Sequence, residues 1–400
     1  MRVERLETTL WRIAPPGAPA TTDADPGLDT AVLEVAGGHL SWSLLADQRV
    51  PAATLHDLDT AQEWLWALYG ADVAVAADDY TGPVELPARP ERPELAAAVR
   101  RLGYAHWAAR WWPASIVDGI PALDARVLDG EIVELSEFCE SVVDGADVRA
   151  PVDSADTTAR AGSPGGVDRS GPGYVPDETR ADYALAAGAE SRDAPGALTL
   201  GRGSAGWDWR HCPPGVVDAS EHAVSWELVR IGSGNVVRVR AVAAPGAGAD
   251  LPGHLRPHAL VRTPAGSVDT ALVLRGDTWT ATVADTADSV SGVEVFVPGV
   301  GPAAPGDTLP RPYPTGGPPD TDAGGPGPTG SGDVTAANAR QRGRIRELAQ
   351  ARLRRAGLPG SGVTSRAAES PRAATGAAPE LVDIAPLYAE TAAAEADSDF

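Results

Sequence analysis

The chain has 400 residues and a formal net charge of -22, and all 33 of its basic residues are arginines. So acidic a molecule is, taken whole, a poor partner for nucleic acid or for an anionic membrane surface. The absence of lysine excludes the standard forms of P-loop nucleotidases, protein kinases and pyridoxal enzymes, each of which needs one. We therefore expect no cofactor.

Cysteine usage and hydropathy suggest where the protein resides. Cys139 and Cys212 lie far apart in the sequence, which does not favour a disulfide scaffold. The first residues lack the basic and apolar regions of an export signal, and no run of 18 apolar residues predicts a membrane span. We expect a cytoplasmic protein without a membrane partner. Abundant Ala, Gly and Pro without Lys favour a GC-rich genome such as an actinomycete's, with a halophile as second choice.

Residues 1–145 hold seven of the 11 tryptophans and are predicted to form an α+β domain with a helical hairpin. Their first third alternates apolar and polar residues, as in the stretch HLSWSLL from His39 to Leu45, which is typical of half-buried strands. A helix is predicted over Asp59–Tyr69, with Asp59 and Gln62 spaced as a capping pair.

The stretch YAHWAARWWPASIVDG, Tyr104–Gly119, belongs to a helix predicted between Pro93 and Pro113. One stripe of this helix consists of Leu95, Val99, Leu102 and His106, and the opposite stripe consists of Arg100, Tyr104, Trp107 and Trp111. A helix that is apolar on two faces is usually enclosed inside a domain. An exposed aromatic interface is the alternative that stays open.

Residues 146–206 have few large apolar side chains and are predicted to be a disordered linker. Residues 207–298 predict a small all-β immunoglobulin-like sandwich preceded by an N-terminal strap, with hairpin turns at Thr263–Gly266 and Gly276–Asp277. Its predicted core consists of Trp226, Val237, Val239, Trp279, Val283, Val295 and Val297.

The C-terminal part is predicted to contain a Pro/Gly-rich linker (299–334), a basic amphipathic helix (335–356) and a disordered tail (357–400). The helix sequence has seven arginines and one glutamate, with Ile345, Leu348, Ala349 and Leu353 on one side. A helix of this kind binds nucleic acid, membranes or acidic partners, or docks on its own acidic protein. Arg344 and Arg346 are the candidate contacts on its basic face.

The tail is predicted to include a short acidic docking helix. Asp383 is placed to cap it, and Pro386 falls in its first turn. Ile384, Leu387 and Tyr388 then share one face, at the spacing by which amphipathic helices enter grooves. The basic helix is a candidate resting site for this segment, and a tail that only aids solubility is the open alternative.

Several motifs resemble sites without the context that a site needs. GRGSAG, Gly201–Gly206, lacks the preceding strand and the following helix of a dinucleotide fingerprint. Cys212 beside His211 or His222 lacks a third, orienting group, and His254 and His258 suit a metal only on a helix. We therefore assign no catalytic, cofactor-binding or metal residues.

These observations predict a non-enzymatic intracellular adaptor with two tethered domains and a C-terminal docking peptide that binds a protein partner. The alternative is a hydrolase-type enzyme with its site near His106 and the 113–120 loop. A deep pocket joining His106 to a carboxylate would favour the enzyme.

Overall fold

The computed structural model describes residues 1–16, 18, 27–46, 48–143, 197–212, 215–248, 251–284, 286–301, 331–358 and 384–398. These residues combine helices with antiparallel sheets, as the sequence predicts. None of the helices they form is both long enough and apolar enough to cross a bilayer. The predicted linkers and tail fall largely on 144–196, 302–330 and 359–383, which lie outside the described residues.

The predicted N-terminal domain contains a six-stranded antiparallel sheet. Its strands are β1 (Arg2–Arg5), β2 (Trp11–Ala14), β3 (Thr30–Val35), β4 (Gly38–Ser43), β5 (Ala52–Leu55) and β6 (Val84–Glu85), in the spatial order β3-β4-β5-β2-β1-β6. Alternate residues of β3 are buried, namely Ala31, Leu33 and Val35, because successive side chains of a strand point to opposite faces.

Four helices accompany this sheet: α1 (Leu58–Tyr69), α2 (Ala71–Asp78), α3 (Pro93–Trp111) and α4 (Ala125–Phe138). The helix predicted near Asp59–Tyr69 is present as α1, but the predicted capping pair of Asp59 and Gln62 is wrong. Asp57 caps the helix instead, because its extended backbone lets the carboxylate accept a 3.1 Å hydrogen bond from the Thr60 N–H. Helices α3 and α4 pack against each other, which agrees with the predicted hairpin.

Helix α3 is enclosed on two sides, as its two apolar stripes predict. Tyr104 and Trp107 are buried, and the Trp107 indole N–H donates to the Leu28 carbonyl at 2.8 Å. Gly103 lies directly against the Trp42 indole, where any side chain would collide with the ring. Trp111 is only partly buried, so the aromatic stripe is core at one end and half-exposed at the other.

The predicted second domain contains two sheets. One has five strands in the order β12-β13-β9-β8-β7, and the other has three in the order β11-β10-β14. The strands are β7 (Ala197–Ala205), β8 (Val224–Ile231), β9 (Gly234–Val242), β10 (His258–Thr263), β11 (Gly266–Ala271), β12 (Val273–Arg275), β13 (Thr278–Ala284) and β14 (Gly292–Phe296). Strand β7 lies inside the segment predicted as linker.

Both predicted hairpin turns are present in this domain. Thr263 pairs with Gly266 between β10 and β11, and Arg275 pairs with Thr278 across the Gly276–Asp277 turn. The predicted core is confirmed except for Trp226, which is only partly buried. The apolar run around Leu272 has the pattern of a single strand, but the structure divides it at that residue. Strand β11 before it belongs to the three-stranded sheet, and strand β12 after it belongs to the five-stranded sheet.

Two further helices complete the described chain, α5 (Ser331–Ala356) and α6 (Tyr388–Ser398). Ile345, Leu348 and Ala349 of α5 are buried, which confirms most of its predicted apolar side. Helix α6 packs on α5 and on α4 of the N-terminal domain. The basic helix is therefore docked on its own protein.

Candidate functional site

The site begins with a buried carboxylate on α6. Glu390 is fully buried, and the Arg352 guanidinium of α5 donates to it through Nε at 2.9 Å and Nη2 at 2.6 Å. The Tyr104 hydroxyl of α3 donates to the same carboxylate at 2.6 Å, and the Arg352 guanidinium lies 4.6 Å from the centre of the Tyr104 ring. A bidentate pair with further hydrogen bonds is the arrangement that offsets the cost of burying two charges.

The surroundings favour a charged Arg352 and a neutral Tyr104. Burial raises the pKa of Tyr104 well above its ordinary value, and the Glu390 charge adds to this effect. Burial alone lowers the pKa of Arg352, but the nearby Tyr104 and Glu390 oxygens outweigh it and raise that pKa. Tyr104 therefore stays a hydrogen-bond donor, and Arg352 stays a cation, over the pH range in which proteins are normally folded.

The main chain before α6 is bound in the same place. Arg352 donates to the carbonyl oxygens of Ile384 and Ala385 at 2.6 and 3.1 Å, and Arg101 of α3 donates to the Pro386 carbonyl at 3.1 Å. Carbonyls outside a helix have no helical partner and need donors when they are buried. Arginines of α3 and α5 supply these donors.

Two carboxylates satisfy the first amides of α6. Glu390 accepts the Leu387 N–H at 2.8 Å, as a glutamate at the third helical position does in a capping box. Glu131 of α4 accepts the Tyr388 N–H at 2.7 Å and is itself paired with Arg101. Burial raises the pKa of Glu131, and Arg101 and the Tyr388 N–H only partly oppose this.

The three predicted docking residues, Ile384, Leu387 and Tyr388, differ in how far the protein buries them. Ile384 and Leu387 are buried at 4% and 0% exposure, whereas Tyr388 is 54% exposed and lies over Arg101 at 5.1 Å. The helix begins at Tyr388, so Ile384 and Leu387 precede it rather than share a helical face with it. The predicted cap, Asp383, lies outside the described residues.

The predicted contacts on the basic helix also bind the body of the protein. Arg344 donates to the Leu45 carbonyl at 3.0 Å. Arg346 pairs with Asp118 and with Glu221, each at 3.1 Å. Arg342, which was not singled out from the sequence, forms a bidentate pair with Glu221 at 2.7 and 2.8 Å. Helix α5 thus joins the loop after α3 to the loop before β8.

The 113–120 loop, where a hydrolase site is the alternative, packs against the second domain. Its Ser115 is buried at 1% exposure and donates to the Asp218 carboxylate. Beside it lies a cavity of about 10 Å³, room for about one water molecule. The cavity is lined mainly by Trp111, Trp112, Trp207 and Trp209. His106 is half-buried and does not line this cavity.

The GRGSAG motif has a packing explanation. A side-chain carbon at Gly203 would meet the Trp226 indole at 2.7 Å, and one at Gly201 would come within 3.9 Å of the same ring. A side-chain carbon at Gly206 would collide with the Glu221 carboxylate and would lie 3.2 Å from the Arg342 guanidinium. These glycines make room for a ring and for an ion pair.

Cys212, His211 and His258 also lie in packed or paired positions, whereas His222 and His254 are exposed. Cys212 is buried, and burial raises its pKa to about 12, so the thiol is not activated. Trp207 and Trp209 are buried beside it, as expected for a strap. His211 contacts Glu294 at 3.2 Å, and His258 contacts Asp269 at 2.7 Å. Across the described part of the chain, no cluster of three His, Cys, Asp or Glu residues suits a metal.

Sequence reasoning missed Tyr104, Arg352, Glu390 and Glu131 as one cluster. The spacing of Leu387 and Glu390 carries a partial signal, because a glutamate three residues after an N-cap position is typical of a capping box. No pattern links Tyr104 to a residue 286 positions later in the chain.

Comparison of the chain with models of protein families, with curated proteins and with solved structures finds no match.

Proposed function

We propose that the chain is a non-enzymatic adaptor, a protein-interaction protein whose C-terminal segment, Ile384–Ser398, is a docking peptide. One observation carries the proposal: this segment is held as a peptide ligand is held. Side chains from three helices bind three of its main-chain carbonyls, the Tyr388 N–H and one acidic side chain. Reading a peptide by its backbone and a few anchors is a common form of peptide recognition.

In this proposal the contact with α5 is the resting state of the segment. Ile384 and Leu387 are buried within the molecule, so a partner that uses them must displace the contact between Arg352 and Glu390. The cost of this displacement is offset when the partner supplies its own cationic and apolar groups. A basic, grooved surface on the partner fits this requirement.

Two finer features belong to the same proposal. The five-stranded and three-stranded sheets are proposed to form an immunoglobulin-like sandwich, supported by the buried faces of β9, β10 and β13. A cytoplasmic location is supported by Cys139 and Cys212, which are both free thiols.

The test compares partner recovery by four full-length chains tagged at the N-terminus. The first is wild type. The second is Arg352→Ala, which removes the internal contact and leaves the docking segment unchanged. The third replaces Ile384, Leu387 and Tyr388 with Ser, which removes both. The matched control is Glu395→Ala, an exposed acidic position on α6.

We expect Arg352→Ala to raise the recovery of a partner above wild type, because the segment is released with its anchors intact. The triple serine chain is expected to lose that partner, and Glu395→Ala to behave as wild type. Equal recovery of every protein by all four chains would contradict the proposal.

A further inference from the structure

The groove that holds the C-terminal segment is formed entirely by other parts of the chain. Tyr104 and Arg101 come from α3, Glu131 comes from α4, and Arg352 comes from α5. Each contributes a contact that depends on the chemistry of the segment and not on its covalent connection. The segment must present carbonyls for the two arginines, a free helical amide for Glu131, and a carboxylate three residues after the N-cap.

The connection to the segment is much longer than the gap it crosses. Arg352 contacts Glu390, and Gly357 lies beside Ala394, so α5 and α6 run side by side in the same direction. The straight-line distance from the C-terminal end of α5 back to Ile384 is on the order of 10–15 Å. The 25 residues 359–383 that make this return have a maximum reach of about 80 Å. Covalent geometry therefore does not confine a segment to the groove of its own chain.

Apolar side chains are exposed on α4 and on the segment itself. Helix α4 packs beside α6 and carries Val133 and Phe138, which are 46% and 54% exposed. Tyr388 on α6 is 54% exposed. These side chains are available to the body of a second chain that packs here, and apolar area removed from water is the main source of association energy.

We propose that the groove formed by α3, α4 and α5 is a peptide-binding surface whose partner is the Ile384–Ser398 segment of a second copy of this chain. Both halves of the contact are present in every copy, so reciprocal exchange of segments gives a closed dimer with two identical interfaces. The inference rests on the proposed function, because it names the partner of the same docking segment.

The first experiment is complementation between two full-length variants. Glu390→Ala has an intact groove and a defective segment, whereas Arg352→Ala has a defective groove and an intact segment. Each variant alone lacks the arginine–glutamate pair both within and between chains, so each is expected to be monomeric in analytical ultracentrifugation. When the two are mixed, one wild-type contact is restored between chains, and a 1:1 complex is expected.

The second experiment measures the binding of a fluorescent peptide of sequence Ile384–Ser398. The Glu390→Ala chain is expected to bind this peptide at least about tenfold more tightly than wild type, because the tethered segment no longer competes at high effective concentration. The Arg352→Ala chain is expected not to bind it. A peptide with Ala in place of Glu390 is the matched control and is expected to bind none of the chains.

Leu387→Ser provides a second segment-defective chain, and tryptophan fluorescence confirms that each variant is folded. The inference is wrong if the mixed folded variants remain monomeric, or if the peptide binds the Glu390→Ala and Arg352→Ala chains equally. If exchange fails while Arg352→Ala still raises the recovery of a different protein, the adaptor proposal stands and this inference does not.

Discussion

The carboxylate of Asp218 in the second domain accepts a 2.7 Å hydrogen bond from the hydroxyl of Ser115 in the loop after α3, and both side chains are buried. The same carboxylate accepts the N–H groups of Ile116 at 2.6 Å and of Ser220 at 2.9 Å. Burial raises the pKa of Asp218, and these hydrogen bonds only partly oppose the effect. Because each of these partners donates a hydrogen bond to Asp218, the position requires a side chain that only accepts hydrogen bonds.

Asp218→Asn is therefore expected to destabilise the protein. The asparagine has one acceptor oxygen, and its NH₂ group would face backbone N–H donors that lose their partner. Leaving buried donors unpaired costs about 1–3 kcal/mol in the free energy of unfolding. Ser115→Ala removes a single donor and is expected to cost less. Urea denaturation measures both changes, and an Asn variant as stable as wild type would contradict this account.

Gly203→Ala is expected to destabilise the second domain. The added carbon would lie 2.7 Å from the Trp226 indole, so the ring must move, and overpacking of this kind costs about 1–3 kcal/mol. Gly201→Ala is the matched control, because the corresponding distance of 3.9 Å is an ordinary contact. Thermal unfolding followed by tryptophan fluorescence compares the two. Equal effects of both substitutions would show that Trp226 does not explain the motif.

Trp107→Ala and Trp111→Ala should differ although both residues belong to one stripe of α3. Trp107 is buried and bonded to Leu28, so its truncation is expected to cost about 3–5 kcal/mol. Trp111 is half-exposed beside the small cavity and leaves a smaller void, so its loss should cost less. Urea denaturation of the full-length chain gives both values. A larger loss of stability for Trp111→Ala than for Trp107→Ala would mean that the contact of Trp111 with Trp207 and Trp209 contributes more to stability than the burial of Trp107.

Glu131 gives the stability a defined pH dependence. Burial raises its pKa above the ordinary value of 4.5, so the folded state binds this proton more tightly than the unfolded state. Its contribution to the free energy of unfolding is complete below pH 4.5 and is lost as the pH rises through the raised pKa. The stability difference between wild type and Glu131→Gln is expected to fall as the pH rises. Urea denaturation at a series of pH values measures it, and a difference that grows with pH would contradict the assignment.

The sequence by itself determined features that depend on neighbours along the chain. Alternation in β9 predicted which of its side chains are buried, because successive residues of a strand point to opposite faces. The turn at Gly276–Asp277 was readable because glycine adopts the positive φ that the turn uses, here 64°. The apolar side of α5 followed from helical spacing in the same way.

Only the tertiary structure decided which polar groups meet. Glu390 is one of 55 acidic residues, and nothing next to it in the sequence marks it as the partner of Arg352 and Tyr104. The glycines of GRGSAG suggested a linker because the reason for them, the Trp226 ring, lies on a neighbouring strand. Burial creates both relationships: a buried charge must be paired, and close packing leaves room for only one atom at a given place. Burial depends on how distant segments pack, which local sequence patterns do not specify.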